Sequence, residues 1–221
     1  MRIGVFGGTF DPVHNGHLVA AREVSRQLSL DRLLMVVAGI PWQKVDHHKL
    51  TDAEDRFAML EAALADGEWG ASLACVEANR MEIDRAGPSY TADTLADLRR
   101  AFPQAELVLV VGSDVAADIH TWEYVDKVIS LARLAVVTRR TQAVPRQRTL
   151  EPGCGPTTAT WDKRRLDELE SMGFDIIEVF IPFVDISSSN IRQRVAGGLP
   201  ITGMVPRSVE RFIKEKGLYD G

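Results

Sequence analysis

The sequence predicts an α/β protein built on a doubly wound, mainly parallel β-sheet. Two observations carry this prediction: apolar runs of strand length recur along the 221 residues, and segments of helical periodicity alternate with them. Runs that are apolar throughout indicate strands that are buried on both faces of a sheet. The predicted strands are Ile3–Phe6, Arg32–Val37, Ser72–Val76, Leu107–Val111, Ala135–Thr138 and Ile176–Ile181.

Helices are predicted between these strands. The first runs from His17 to about Leu28, where apolar residues share one face. The second starts at Thr51, because the sequence Thr51–Glu54 is typical of a capping box. A third is expected over Tyr90–Phe102, and a closing helix over Pro206–Lys216 with a glycine as its stop.

Two parts of the chain differ from this alternation. Residues 139–162 are rich in Pro, Gly and Thr and lack periodicity, so we predict a surface loop there. The last part of the chain also differs, because a serine run leads there into a short helix and the closing helix. We therefore expect a Rossmann-like core, residues 1–184, and a small C-terminal helical segment, residues 185–221.

The composition narrows the class of protein. Hydrophobic residues make up 45% of the chain, and the net charge of −5 lacks the basic footprint of a nucleic-acid-binding protein. No run approaches the roughly 18 apolar residues of a membrane span, so no membrane partner is expected. Cys75 and Cys154 form no redox or metal motif, which favours a cytoplasmic location. The sequence leaves the oligomeric state open, and a homo-oligomer is possible.

The first strand-to-helix connection carries the most specific motif. Gly7 and Gly8 lack a Cβ, so we expect the chain to turn sharply there and to approach a ligand closely. The amides of Gly7, Gly8 and Thr9 can then point at an anion near the start of a helix. His14 and His17 are three residues apart, so both imidazoles can lie over one group.

Other interpretations of this connection are weaker. His-x-x-His can be a metal pair, but no Cys or carboxylate pattern completes a zinc site, so no protein-held metal is expected. The motif is neither the Gly-x-Gly-x-x-Gly fingerprint nor a P-loop. A phosphate site remains the favoured interpretation.

With these residues the chain resembles the HxGH nucleotidyltransferase superfamily, and within it the bacterial nicotinate mononucleotide adenylyltransferases. The resemblance rests on Gly7–Pro12 and on the His-x-Gly-His sequence that ends at His17. It implies that Thr9, Phe10, His14 and His17 bind phosphate and that His17 stabilises the α-phosphate. It also implies that His14, His17, Lys44 and Arg192 are the catalytic residues. ATP and nicotinate mononucleotide would be the substrates, and Mg²⁺ would be held mainly by their phosphates.

A second phosphate site is predicted near the C-terminus. Ser187, Ser188 and Ser189 precede a helix, so one can cap it while the others donate. Arg192 lies one turn further, and its planar guanidinium suits phosphate oxygens. In the family the matching motif binds the triphosphate of ATP.

The resemblance extends to residues between these two motifs. Lys44 follows the second strand and matches a lysine that contacts phosphate in the family, although Trp42 and Gln43 depart from the usual loop sequence. Gly112 and Asp114 follow the fourth predicted strand, where the family contacts the adenosine ribose. Arg56 also matches, and a salt bridge is as plausible for it as a ligand contact.

The acceptor is suggested by less specific features. Ser89, Tyr90 and Thr91 at a helix start can donate to the nicotinate carboxylate, and an ordinary capped helix would explain them equally well. Trp122 matches the aromatic residue that stacks on the pyridine ring, and a structural Trp is the alternative. Nicotinamide mononucleotide or phosphopantetheine as acceptor, a cytidylyltransferase, and a noncatalytic nucleotide sensor are the rival functions.

Overall fold

The computed structural model describes residues 1–41, 50–85, 87–140 and 163–220. Within these ranges six strands pair in parallel to form one sheet, in the order β3-β2-β1-β4-β5-β6. The strands are β1 (Arg2–Gly8), β2 (Arg32–Val37), β3 (Val76–Asn79), β4 (Glu106–Gly112), β5 (Arg133–Arg140) and β6 (Ile176–Pro182). The predicted doubly wound parallel sheet is confirmed.

Helices connect the strands and follow the last one. They are α1 (Asn15–Gln27), α2 (Ala53–Leu64), α3 (Met81–Asp84), α4 (Thr91–Ala101), α5 (Ser113–Ala117), α6 (Val125–Leu131), α7 (Lys163–Ser171), α8 (Ser188–Ala196) and α9 (Arg207–Lys216). Short 3₁₀ turns lie at Gly70–Leu73 and Ile119–Thr121. None of the helices in the described part of the chain is long and apolar enough to cross a membrane.

Two apolar layers cover the two faces of the sheet. Met35 of β2 belongs to the layer that includes α1, α2, α8 and α9, whereas the next residue, Val36, belongs to the layer that includes α4 to α7. This alternation follows from the two-residue period of a strand, and it explains why all of Leu33–Val37 is apolar and buried. Burying each of these side chains is worth roughly 1.5–3 kcal/mol. The buried Val209 and Ile213 bring α9 into the layer that holds α1.

The third strand was misplaced in the prediction. Residues 70–73 form a 3₁₀ turn, and the strand is Val76–Asn79, which pairs with β2. Leu73 and Val76 are both buried, so they belong to the core from a turn and a strand respectively. A four-residue edge strand with polar Glu77 and Asn79 has too little pattern to be recognised, and its pairing with β2 overrides weak local propensity.

The start of α2 also differs from the prediction. Asp52, and not Thr51, is the N-cap, because the Asp52 carboxylate accepts a hydrogen bond from the amide of Glu54 at 2.9 Å. The carbonyl of Thr51 accepts from the guanidinium of Arg56 at 2.9 Å. The predicted loop over residues 139–162 falls mostly outside the described residues, but β5 continues through Arg140, beyond the predicted strand.

The strand order reverses between β1 and β4, which are adjacent although they are not consecutive in sequence. In open parallel sheets this switch point leaves a crevice at the carboxyl ends of the strands. The motifs at residues 7–17 and 112–114 follow these two strands, so the fold brings them to the same crevice.

Candidate active site

A cavity of about 680 Å³ occupies this crevice. Every predicted site residue that the structure describes lines it: Gly7, Gly8, Thr9, Phe10, His14, His17, Ser89, Tyr90, Thr91, Gly112, Asp114, Trp122, Ser187, Ser188, Ser189 and Arg192. Lys44 lies outside the described residues, as do Trp42 and Gln43. The fold therefore gathers five separate segments of the sequence around one space.

The turn after β1 is built differently from the prediction. Gly7 and Gly8 are the last residues of β1, and the left-handed backbone conformation falls at Phe10, with φ 49°. A Cβ on Gly8 would meet the Phe10 ring at 2.9 Å, so this glycine makes room for that buried ring. A left-handed non-glycine residue stores strain, which clusters at functional sites.

The two histidines lie one above the other at the start of α1. The rings of His14 and His17 stack with centroids 3.7 Å apart, and the Phe10 ring packs edge-on against His17 at 5.0 Å. A Cβ on Gly16 would meet the His14 ring at 3.0 Å. Gly16 therefore makes room for the His14 ring.

Hydrogen bonding sets the form of His17. The backbone amide of His14 donates to Nδ1 of His17 at 3.3 Å. Because that nitrogen accepts, a neutral His17 carries its hydrogen on Nε2. The ring is therefore prepared to act as a donor at that position.

His14 is kept uncharged by its surroundings. Burial, and to a lesser degree the charge of Arg139, lowers the pKa of His14 from 6.5 to about 4. Its Nδ1 is enclosed and has no hydrogen-bond partner among the described residues. Most buried polar atoms have partners, so an orphaned one calls for an explanation such as a functional constraint.

The C-terminal motif is bonded directly to the first turn. Arg192 donates to the carbonyl of Asp11 at 2.6 Å, and the hydroxyl of Ser188 donates to the carbonyl of Pro12 at 3.0 Å. Ser187 caps α8 by accepting from the amide of Asn190, as predicted for one serine of the run. Arg192 also donates to Ser189 at 3.2 Å, which fixes its guanidinium on the cavity wall.

Among the residues that the structure describes, Arg56 forms no ion pair and does not line the cavity. Its side chain is 1% exposed and donates to the carbonyls of Thr9, Gly39 and Thr51 at 2.9, 3.2 and 2.9 Å. Burial lowers the pKa of Arg56, although nearby Asp11 opposes this. Arg56 therefore holds the turn after β1 from beneath by donating to main-chain oxygens.

The opposite side of the cavity is formed at the start of α4. The amide of Ser89 donates to Ile40 at 2.9 Å and that of Tyr90 donates to Pro88 at 3.2 Å, while Ser89 Oγ accepts from Gly39. These two amides are thus engaged within the chain. The amides of Thr91 and Ala92 belong to the first turn of α4, where backbone donors have no intrahelical partner.

Three cavity-lining charged residues were missed in the sequence: Glu82, Glu123 and Arg139. Arg139 follows the buried part of β5, and its position near the carboxyl end of a parallel strand was a usable indication. Glu82 gave no such indication, because it reaches the cavity only through the packing of α3 beside α4. Burial raises the pKa of Glu82, against hydrogen bonds from Thr94 and Ser89.

The remaining predicted residues lie around the rim. Gly112 ends β4 and Asp114 stands exposed in the first turn of α5. Trp122 follows the 3₁₀ turn Ile119–Thr121, lines the cavity, and also packs against the apolar layer beneath α4. Trp122 is therefore placed both to contact a ligand and to pack in the apolar layer, so its position agrees with either predicted role.

The chain matches known proteins over its whole length. The Cytidylyltransferase-like family matches residues 5–194. A protein of Saccharopolyspora erythraea named "Probable nicotinate-nucleotide adenylyltransferase" is 41% identical over 100% of this chain and 90% of its own length. A protein of Thermus thermophilus with the same name is 38% identical over 99% of this chain and 100% of its own.

Solved structures agree on the fold. A Plasmodium falciparum nicotinic acid mononucleotide adenylyltransferase complexed with NaAD superposes with a TM-score of 0.76 at 18% identity, covering 99% of this chain and 97% of that one. A second complex of the Plasmodium enzyme, with APC, superposes with a TM-score of 0.72 at 17% identity, covering 99% of this chain and 96% of that one.

The parallel-sheet fold and the family match over residues 5–194 define a nucleotidyltransferase of the Cytidylyltransferase-like class. Within that class, the family follows from relatives that are 41% and 38% identical over 100% and 99% of this chain. The chain belongs to the nicotinate-nucleotide adenylyltransferase family.

Proposed function

We propose that this protein transfers the AMP part of ATP to nicotinate mononucleotide, forming nicotinate adenine dinucleotide and pyrophosphate in NAD biosynthesis. One observation carries the proposal: two phosphate-binding motifs about 180 residues apart are joined beneath one cavity, by Arg192 on Asp11 and Ser188 on Pro12. Family membership supports the choice of substrates.

Two surfaces of the cavity would bind different parts of the substrates. We name the first the phosphate wall; it comprises Thr9–His17 and Ser187–Arg192. We name the second the acceptor wall; it comprises Glu82, Ser89–Thr91 and Trp122. ATP would lie with its phosphates on the phosphate wall, and the pyridine nucleotide would lie against the acceptor wall.

The chemistry asks little of the protein beyond alignment and charge. An oxygen of the mononucleotide phosphate attacks the α-phosphorus, and the bond from that phosphorus to the pyrophosphate oxygen breaks. The attacking phosphate is already an anion at neutral pH, so no general base is required. Positioning and electrostatic stabilisation then supply the rate.

His17 is our first choice for the donor that stabilises the α-phosphate. Its Nδ1 is occupied by the amide of His14, so Nε2 carries the hydrogen that a phosphate oxygen can accept. Neutral His14 supports the ring by stacking, and the start of α1 adds partial positive charge. Arg192 supplies the permanent charge, and Arg139 adds to it.

The acceptor wall suits a nicotinate carboxylate. The first amides of α4, at Thr91 and Ala92, can bind an anion at the positive end of the helix. Trp122 offers an aromatic face to the pyridine ring. Ser89 and Tyr90 act by shaping this corner, since their amides are bonded within the chain.

We expect Mg²⁺ to enter with ATP. In the described part of the chain no group of three or more His, Cys, Asp and Glu side chains is arranged to hold a metal ion. The one carboxylate of the phosphate wall, Asp11, accepts from the Tyr219 hydroxyl, and a single engaged carboxylate fits an ion held mainly by triphosphate oxygens and water. When bound there, Mg²⁺ neutralises phosphate charge. Gly112 and Asp114 would contact the adenosine ribose, and Lys44 would contact phosphate.

Product analysis tests the proposal. The purified protein is incubated with ATP, Mg²⁺ and nicotinate mononucleotide, and dinucleotide and pyrophosphate are quantified. We expect equal amounts of the two products. Parallel reactions with nicotinamide mononucleotide, with phosphopantetheine, and with CTP in place of ATP separate the rival transferases by kcat/KM. A higher kcat/KM with any of these, or nucleotide binding without turnover, would contradict the proposal.

A further inference from the structure

The end of the chain reaches the phosphate wall through one side chain, Tyr219. It follows α9, which ends at Gly217, and its backbone is left-handed with φ 65°. An aromatic residue rarely adopts this conformation without support from its surroundings. The support here is the apolar layer that holds α1 and α9, against which the Tyr219 ring packs.

The half-buried Tyr219 side chain donates its hydroxyl hydrogen to a buried carboxylate. It donates to Oδ1 of Asp11 at 2.7 Å, a contact that spans 208 residues of sequence. Asp11 is 3% exposed, so this bond lies in a region of weak solvent screening. Burial, together with the charge of Asp11, raises the pKa of Tyr219, and the hydroxyl therefore stays protonated as a donor.

Asp11 sits among the groups that fix the turn after β1. Its carbonyl accepts from Arg192 at 2.6 Å, and the neighbouring carbonyls of Pro12 and Thr9 accept from Ser188 and Arg56. The main chain of the turn is thus held from α2 and α8. Its one carboxylate is held from the C-terminus, by Tyr219.

Without the hydrogen bond from Tyr219, the Asp11 carboxylate would be attracted to nearby guanidinium groups. The charge of Asp11 acts on Arg56, and the charge of Arg192 acts on Tyr219, so both guanidinium groups lie within electrostatic range of this bond. A carboxylate that rotated toward Arg192 would compete with a phosphate for the same donors. The Tyr219 hydroxyl opposes this by holding Oδ1.

We propose that Tyr219 is a positioning residue for ATP: it holds the Asp11 carboxylate in place and so keeps the turn after β1 and the Arg192 guanidinium available to the triphosphate. The inference rests on the proposed function for the identity of the nucleotide. It predicts an effect on ATP that the acceptor does not share, because the acceptor wall is built from other segments.

Tyr219→Phe is the direct test, because it removes the hydroxyl and keeps the ring. We expect KM for ATP to rise about 3- to 10-fold, the effect of losing one typical hydrogen bond, with KM for nicotinate mononucleotide within about twofold. The dissociation constant of α,β-methylene-ATP, measured by calorimetry, should rise by the same factor. Tyr124→Phe removes an equivalent hydroxyl from an exposed side chain and should leave both constants unchanged.

Asp11→Asn supplies the second arm. If Tyr219 acts through Asp11, adding Tyr219→Phe to Asp11→Asn should change the affinity for α,β-methylene-ATP by less than about twofold, a non-additivity typical of coupled neighbours. Full additivity would overturn the inference. The inference would also be overturned if Tyr219→Phe kept the wild-type KM for ATP and the wild-type dissociation constant of α,β-methylene-ATP. An equal rise in KM for ATP and KM for nicotinate mononucleotide would overturn it as well, because a general loosening of the fold would cause that result.

The two proposals fail separately. If the wild-type protein makes no dinucleotide, the proposed function fails, and the affinity of the variants for α,β-methylene-ATP still decides the role of Tyr219. If the wild-type protein is active and Tyr219→Phe matches it in every constant, the inference alone is overturned.

Discussion

The phosphate wall and the acceptor wall are built by different means. In the phosphate wall, side chains from α8 donate to main-chain oxygens of the turn after β1, with Arg192 on Asp11 at 2.6 Å. In the acceptor wall, Thr94 of α4 donates to the Glu82 side chain at 2.5 Å, and Ser89 Oγ accepts from the amide of Gly39. The first wall is held mainly by bonds to the main chain of one turn, whereas the second combines a bond between side chains with bonds to one loop.

This difference has a physical cause and a consequence. Phosphates are alike in every nucleotide, so fixed backbone and cationic donors can recognise them with geometry that tolerates little change. An acceptor is chosen largely by shape and by a few polar contacts. We therefore expect substitutions in the phosphate wall to reduce turnover strongly, and substitutions in the acceptor wall to change KM for one substrate moderately.

The largest effect is expected for His17→Ala. Removing the donor to the α-phosphate should lower kcat by about 10²- to 10³-fold, as for the loss of one preorganised donor at a developing charge. Circular dichroism should remain that of a folded protein, because the helix start keeps its other bonds.

His120→Ala is the matched control for this variant. His120 is exposed and lies outside the cavity lining, so its loss should leave kcat unchanged. Turnover of His17→Ala within about threefold of the wild type would break the comparison, because it would leave the phosphate wall without its assigned donor.

The next largest effect is expected for Arg192→Lys. Lysine keeps the charge but cannot reproduce the planar pair of bonds to Asp11 and Ser189. We expect kcat/KM for ATP to fall about 10- to 100-fold, the range for hydrogen bonds to charged groups. Arg194→Lys is the control. Arg194 lies two residues further along α8, and its side chain donates to the carbonyl of Pro200, away from the cavity. An equal loss in both variants would mean that α8 matters for stability rather than for phosphate.

The pH dependence of stability tests how the phosphate wall keeps His14 neutral. His14 titrates near 6.5 when unfolded and near 4 when folded, so the unfolded chain binds more protons between these values. Stability is therefore present above pH 6.5 and lost as the pH falls toward 4. From pH 7 to pH 5 the wild type should lose about 1–2 kcal/mol more than His14→Gln in urea unfolding. Equal losses would show that His14 is not held neutral.

Residues in contiguous motifs could be predicted from the sequence, whereas residues that reach the site through long-range packing could not. Gly7–His17 and Ser187–Arg192 are contiguous motifs, so the phosphate wall could be located before the fold was known. Glu82 and Tyr219 reach the site through long-range packing, and no local pattern marks them. The turn at Phe10 was assigned to the glycines because a left-handed phenylalanine has no sequence signature.

Trp122→Leu should have the smallest of these effects, and it examines the acceptor wall directly. Leucine keeps apolar bulk against the layer beneath α4 but loses the aromatic face. Aromatic contacts are worth about 0.5–1.5 kcal/mol beyond burial, so KM for nicotinate mononucleotide should rise about 2- to 12-fold. KM for ATP should stay within about twofold. Trp69→Leu, on the opposite apolar layer and outside the cavity, controls for the loss of a tryptophan as such. If Trp122→Leu instead lowers kcat by a hundredfold with both KM values unchanged, Trp122 aligns the reacting groups, and the division between a wall that fixes geometry and a wall that selects the acceptor no longer holds.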